Sequence, residues 1–308
     1  MKRIVSMAAM AVLAGALVAR AQQMDWEKVE IKAEQVAGPI YVLQSGVAGN
    51  IGVSAGKDGV LIVDDKFAPL ADKIRAALKG VGEGELKFIL NTHWHGDHTG
   101  ANPVFGPEAP ILAHTNVRKR LMTEQRRGER VWPLMAEEGW PVITFDEGVS
   151  IHFNGEEIKA IHFPHGHTDG DTVVFFTGSN VVHLGDDYFS GLFPFVDLDS
   201  GGSVRGLTRN VAAIIEKLPA DVRIIPGHGP VSTLDDLRAY HTMLVETTAH
   251  VHKQMKDGKS LEQIKAAGLP EKYAAWSWGF VPTERWIETI FASLVQTAVE
   301  ESIEKGMK

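Results

Sequence analysis

The stretch Leu90 to Gly100 reads LNTHWHGDHTG and places His93, His95, Asp97 and His98 within six consecutive positions after an apolar run. Imidazoles and carboxylates without thiolate are the donors of a zinc site, and they also suit iron or manganese. The run KFILNT is expected to be a buried strand, and alternation along its end would set His93 and His95 on one side. Gly96 is expected to let the backbone turn sharply, so that Asp97 and His98 point back at a neighbouring point. Four ligand-type side chains at one strand end suit two adjacent ions better than one, which they would crowd. The alternative is a polar turn whose histidines are merely hydrogen-bonded.

Three further segments carry the same residue types: FPHGHTDGD with His165 and His167, VVHLGDDYF with Asp186 and Asp187, and VRIIPGHGP with His228. Each follows an apolar, β-type run, the place where a rigid scaffold offers side chains to a common cleft. The elements that must position them can be read from hydrophobic periodicity. IYVLQSG, NIGVSAGKDGVLIVDD (turning at Lys57-Asp58-Gly59) and APILAH read as strands, and Pro141 to His183 as a β-rich tract. Apolar spacings of three and four predict helices over 69–81 and 115–128, and another begins at an N-capping Ser203. From Ser232 the chain reads as mostly helical. Hairpins among βα units predict mixed rather than purely parallel sheets.

Taken together, H-x-H-x-D-H, Gly-His-Thr, Gly-Asp after a strand and Pro-Gly-His-Gly resemble the metallo-β-lactamase superfamily, over roughly residues 40–230. The resemblance implies an α/β fold, a four-layer αββα sandwich of two mixed sheets, with a catalytic domain over 22–231 and a helical C-terminal extension over 232–308 packed on it. It assigns His93, His95 and His167 to a first metal, and Asp97, His98 and His228 to a second. Asp186 would bridge the two, and Asp97 would also orient the nucleophile. Two zinc ions, with iron or manganese as alternatives, would share a water and bring its pKa towards ~7. The implied activity is hydrolysis of an activated carbonyl in a small molecule, a β-lactam-like or lactone ring. An aspartate at the bridging position departs from dedicated β-lactamases and is the pattern of lactonases, phosphodiesterases, glyoxalase II-like thioesterases and mononuclear-iron persulfide dioxygenases, of which the last two stand as alternatives. His165, Asp187 and Tyr188 flank assigned ligands and are candidates for supporting them or lining the pocket, as is Phe189. The other histidines are expected to be structural or superficial.

The opening 21 residues have Lys2 and Arg3, an apolar run to Val18 and an Ala19-Arg20-Ala21 site, the pattern of a secretory signal peptide cleaved after Ala21. A periplasmic or secreted location is therefore expected. Removing it takes out three basic residues and no acids, so a formal charge of −8 becomes −11. An acidic chain without basic clusters argues against nucleic acid and anionic membranes as partners. With 308 residues and no cysteine, an exported chain must be held by its core alone. The aromatic-rich segment Tyr273 to Trp286 is expected to pack in that core, a substrate wall or dimer contact being the alternatives.

Overall fold

The computed structural model describes residues 24–127 and 130–306. The expected signal peptide lies outside them. β1 (Lys32–Ala37), β2 (Ile40–Gln44), β3 (Ile51–Gly56) and β4 (Gly59–Val63) form an antiparallel meander. The β3–β4 turn needs Gly59, whose φ is +116° and whose missing side chain leaves room for the Glu85 carbonyl. α1 (Ala71–Val81) buries Ala71, Ile74 and Leu78, spaced by three and four, and returns the chain so that β5 (Leu86–Leu90) joins β4 in parallel. After the single turns α2 (Gly96–Thr99) and α3 (Asn102–Phe105), β6 (Ile111–His114) pairs with β5.

The helix predicted over 115–128 stops early. α4 (Thr115–Leu121) buries Val117 and Leu121, and the next positions on that face are the polar Glu124 and Gln125. The chain instead makes a short hairpin, β7 (Gln125–Arg127) and β8 (Arg130–Trp132), before β9 (Ile143–Phe145) closes the first sheet. β10 (Gly148–Phe153), β11 (Glu156–His162), β12 (Thr172–Phe176) and β13 (Val181–His183) are antiparallel neighbours. α5 (Val204–Ile215), capped by the Ser203 hydroxyl, then leads to β14 (Arg223–Ile225), parallel to β13. α6 (Leu234–Lys256), α7 (Leu261–Ala267) and α8 (Thr283–Gly306) complete the chain.

Alternation along the strands produces the layers. Val60 and Ile62 of β4 face α1, whereas Leu61 and Val63 face the second sheet and meet Ile158, Val174 and Phe176. The far side of the second sheet packs on α5, α6 and α8, where Val173, Val182 and Ile224 share one cluster with Leu207, Tyr240 and Trp286. The result is the expected helix–sheet–sheet–helix sandwich of two mixed sheets, and the helical tail belongs to the same continuous core. No helix among the described residues is long and apolar enough to cross a membrane.

Candidate metal centre

The loops after β5, β11, β13 and β14 meet at one edge of the sandwich, and each delivers a ligand-type side chain there. Two groups form: His93, His95, His167 and Asp186, and Asp97, His98 and His228, with donor atoms in each within 4.8 Å of one another. Asp186 joins them. Its Oδ2 lies 3.4 Å from His167 Nε2 and 3.8 Å from His93 Nε2, while Oδ1 lies 3.1 Å from His98 Nε2 and 3.4 Å from His228 Nε2. Asp97 Oδ2 stands 3.3 Å from His228 Nε2.

The backbone that achieves this differs from the expected strand-end alternation. β5 ends at Leu90, so His93 and His95 sit in a loop. The turn beyond them is the helical turn α2, with His95 at its N-cap. Gly96 is not in the left-handed region, and a Cβ there would meet only Phe67, in ordinary contact at 4.0 Å. Glycine is required elsewhere. A Cβ at Gly49 would lie 2.1 Å from the His98 ring, and one at Gly227 would lie 2.0 Å from Asp186 Oδ1. Both strand-end loops press against the site with bare backbone.

Four of the five imidazoles have their outer nitrogen committed to a protein oxygen. His98 Nδ1 donates to Asp64 Oδ2 at 2.7 Å, His95 Nε2 to Asp197 Oδ2 at 2.9 Å, and His167 Nδ1 to the Phe195 carbonyl at 2.7 Å. His93 Nδ1 lies 3.0 Å from the Thr92 hydroxyl, which itself donates to Asp64 at 2.7 Å. Each bond fixes the tautomer and turns the other lone pair inward. Burial holds the His93 and His167 pKa values down, the latter at about 4, so both are neutral donors. Burial also opposes charge on His228, but the carboxylates of Asp186 and Asp97 outweigh it and lift its pKa to about 9. Burial likewise disfavours the Asp186 carboxylate, yet the surrounding imidazoles hold its pKa well below the usual range.

The site opens into a cavity of about 440 Å³ that reaches Asp97, Asp186, His95 and His228. Of the residues flanking the ligands, Phe189 lines it and stacks on His228 at 4.9 Å. Asp187 is buried behind the ligand loop and accepts from the His167 amide at 3.4 Å. Tyr188 is fully buried against Tyr240, and His165 turns away to the Gly201 carbonyl. The aromatic segment divides: Tyr273 and Trp286 enter the core, and Trp278 and Phe280 line the cavity. Sequence reasoning passed over Asp64, Asp197, Asn50 and Lys66. Asn50 clamps the Pro226–Gly229 loop through two carbonyls, at 3.0 and 2.9 Å. Lys66 is fully buried and donates to the Gly49 carbonyl; burial lowers its pKa to about 7 against the pull of Asp97 and Asp64. The missed signal was the one used for the ligands, polar residues where an apolar strand stops, since Asp64 directly follows β4.

The residues fit a pair of divalent ions. His93 Nε2 and Asp186 Oδ1 are buried, lack hydrogen-bond partners and face the two groups, and every donor is nitrogen or oxygen. The αββα sandwich thus carries a paired cluster of nitrogen and oxygen donors at one edge. Residues 45–228 match the metallo-β-lactamase superfamily, and the chain belongs to it. The α subunit of 2,4-dinitroanisole O-demethylase from Nocardioides sp. is 28% identical over 170 residues, 54% of this chain and 49% of that protein. The chain thus spans about half the length of that relative. A hydroxyacylglutathione hydrolase of Prochlorococcus marinus is 30% identical over 110 residues, 34% of this chain and 37% of that one. Among solved structures, a metallo-β-lactamase from Pontibacter korlensis superposes with a TM-score of 0.59 at 14% identity, covering 70% of this chain and 99% of its own.

Proposed function

We propose that the protein is an exported dinuclear zinc hydrolase that opens an activated cyclic carboxyl derivative, a lactone or β-lactam-like ring. The observation that carries this reading is the Asp186 carboxylate, whose two oxygens are divided between the two donor groups at 3.4 and 3.1 Å. Two bound ions would supply a water deprotonated near neutral pH and a Lewis acid for the carbonyl. His93, His95 and His167 would hold one and His98, His228 and Asp97 the other, with Asp186 available to both groups. Asp97 lies on the cavity wall, where its carboxylate can both bind and accept the hydrogen bond that aligns the attacking water. A thioester substrate is the second reading, supported by the hydroxyacylglutathione hydrolase among the relatives.

Asp97→Asn tests the reading. It keeps size and one oxygen but loses the charge that orients the water, so kcat should fall by about 10²–10⁴-fold with little change in KM. Metal analysis should give two equivalents per chain before and at least one after the change. Near-full activity would remove Asp97 from the mechanism. One iron per chain, with oxygen uptake on glutathione persulfide, would replace hydrolysis by dioxygenation. The substrate panel should pair a chromogenic cephalosporin, an acyl-homoserine lactone and lactoylglutathione. Export is checked by N-terminal sequencing of the protein from a Gram-negative host, with Gln22 expected first; a chain beginning at Met1 would remove that part of the proposal.

A further inference from the structure

The cavity wall is aromatic in an ordered way. Phe195 packs against both His95 and His167 at 5.7 Å and against Phe280 at 5.5 Å. Phe280 continues to Trp278 at 5.6 Å, and Trp278 reaches back to Phe189 and His228, each at 6.3 Å. The rings therefore form a closed path that begins and ends on residues beside the metal-binding edge. They are held in place: the Trp278 indole donates to the Phe193 carbonyl at 2.9 Å, and the Arg285 guanidinium lies over Phe280 at 4.3 Å and Phe195 at 5.2 Å. Yet the path is not core. Phe280 is 48% exposed, a large apolar side chain left facing solvent at the mouth. Trp278 and Phe280 also lie outside residues 45–228, the part matched by the family.

Offset or tilted aromatic faces favour a flat π-surface over an aliphatic group of equal size.

We propose that the Trp278–Phe280 wall selects an aryl-bearing acyl group as the part of the substrate adjoining the reacting carbonyl. This deepens the ring-opening reading of the site, and its binding component stands apart from turnover. The full-length, metal-loaded protein would be titrated calorimetrically with 2-naphthylacetamide, with a decahydronaphthyl amide as the aliphatic control. The aryl amide should bind more tightly. Phe280→Ala and Trp278→Leu should each weaken it about tenfold, the equivalent of ~1.4 kcal/mol, while metal content and melting temperature verify the fold. In parallel, the kcat/KM preference for N-phenylacetyl- over N-acetyl-homoserine lactone should shrink by a similar factor in both variants, through KM. Tighter binding of the aliphatic amide, or unchanged affinity in both variants, overturns the proposal. Failure to open either lactone, with the amide bound as described, overturns the lactone reading and upholds the aryl wall.

Discussion

Asp64 shows how much of a metal site lies one bond behind the ligands. Its carboxylate accepts from His98 Nδ1, from the Thr92 hydroxyl and from the Thr92 amide, all at 2.7 Å. Through Thr92 it also aligns His93, so one buried carboxylate sets imidazoles in both donor groups. Asp64 itself sits at φ +66°, a conformation that Asp and Asn tolerate better than other side-chain-bearing residues. Asp64→Asn keeps that backbone but removes a charged acceptor. Affinity for the metal held by His98 should drop about 10–100-fold, the usual effect of losing such a partner. Competition with a chelator would measure it; unchanged affinity would mean that packing alone orients His98.

At the scale of elements, close backbone approach decides where the ligand loops sit. Gly206 lies in the first turn of α5, where alanine is intrinsically better by ~1 kcal/mol. A Cβ there would lie 1.8 Å from the His165 carbonyl, however, and Ser203 N, in the cap, already bonds the Gly166 carbonyl at 2.9 Å. The helix start and the His165–His167 loop are thus packed without a gap. Gly206→Ala should destabilise by roughly 1–3 kcal/mol despite its propensity gain and weaken metal binding by the group containing His167. A raised melting temperature with unaltered metal affinity would show that the loop yields freely.

For the whole molecule, two buried histidines set an acid limit. His183 accepts from the Gly185 amide at 3.1 Å through Nδ1 and lies 3.2 Å from the Asn50 carbonyl through Nε2, so only its neutral form fits. His114 caps α4 by accepting from the Asn116 amide at 3.2 Å, and it stacks on His162 at 3.7 Å, joining the two sheets. Burial holds both pKa values down at about 4. The unfolded chain therefore takes up protons near pH 6.5 that the folded chain refuses. Stability from these groups is complete above pH 6.5 and is lost as pH falls towards 4, on the order of 3 kcal/mol for the fully buried His183. Melting temperatures of metal-free protein between pH 7 and 4 should fall across that window. His114→Asn, which keeps a cap acceptor but does not titrate, should flatten part of the decline; an unaltered slope would take His114 out of the account.

The amino-acid sequence by itself determined the first cluster of candidate donors and the alternation within strands. Histidine and aspartate types at fixed short spacings constrain chemistry whatever surrounds them, and alternation fixes which side chains share a face. His93, His95, Asp97 and His98 were legible for that reason; the places of His167, Asp186 and His228 and the four layers followed from the resemblance to the family, and the structure brings these seven side chains together. Three things only the tertiary structure decided. The helix expected through residue 128 became a hairpin, because α4 runs out of apolar face and local propensity cannot register that. The supporting residues Asp64, Asp197 and Asn50 act on partners up to 179 positions away, a relation no local pattern carries. The aromatic segment split between core and cavity, with Trp286 fully buried and Phe280 exposed six residues before it. Both are large apolar side chains, and only the packing of α8 against α5 and α6 determines which of them is left to face the cavity.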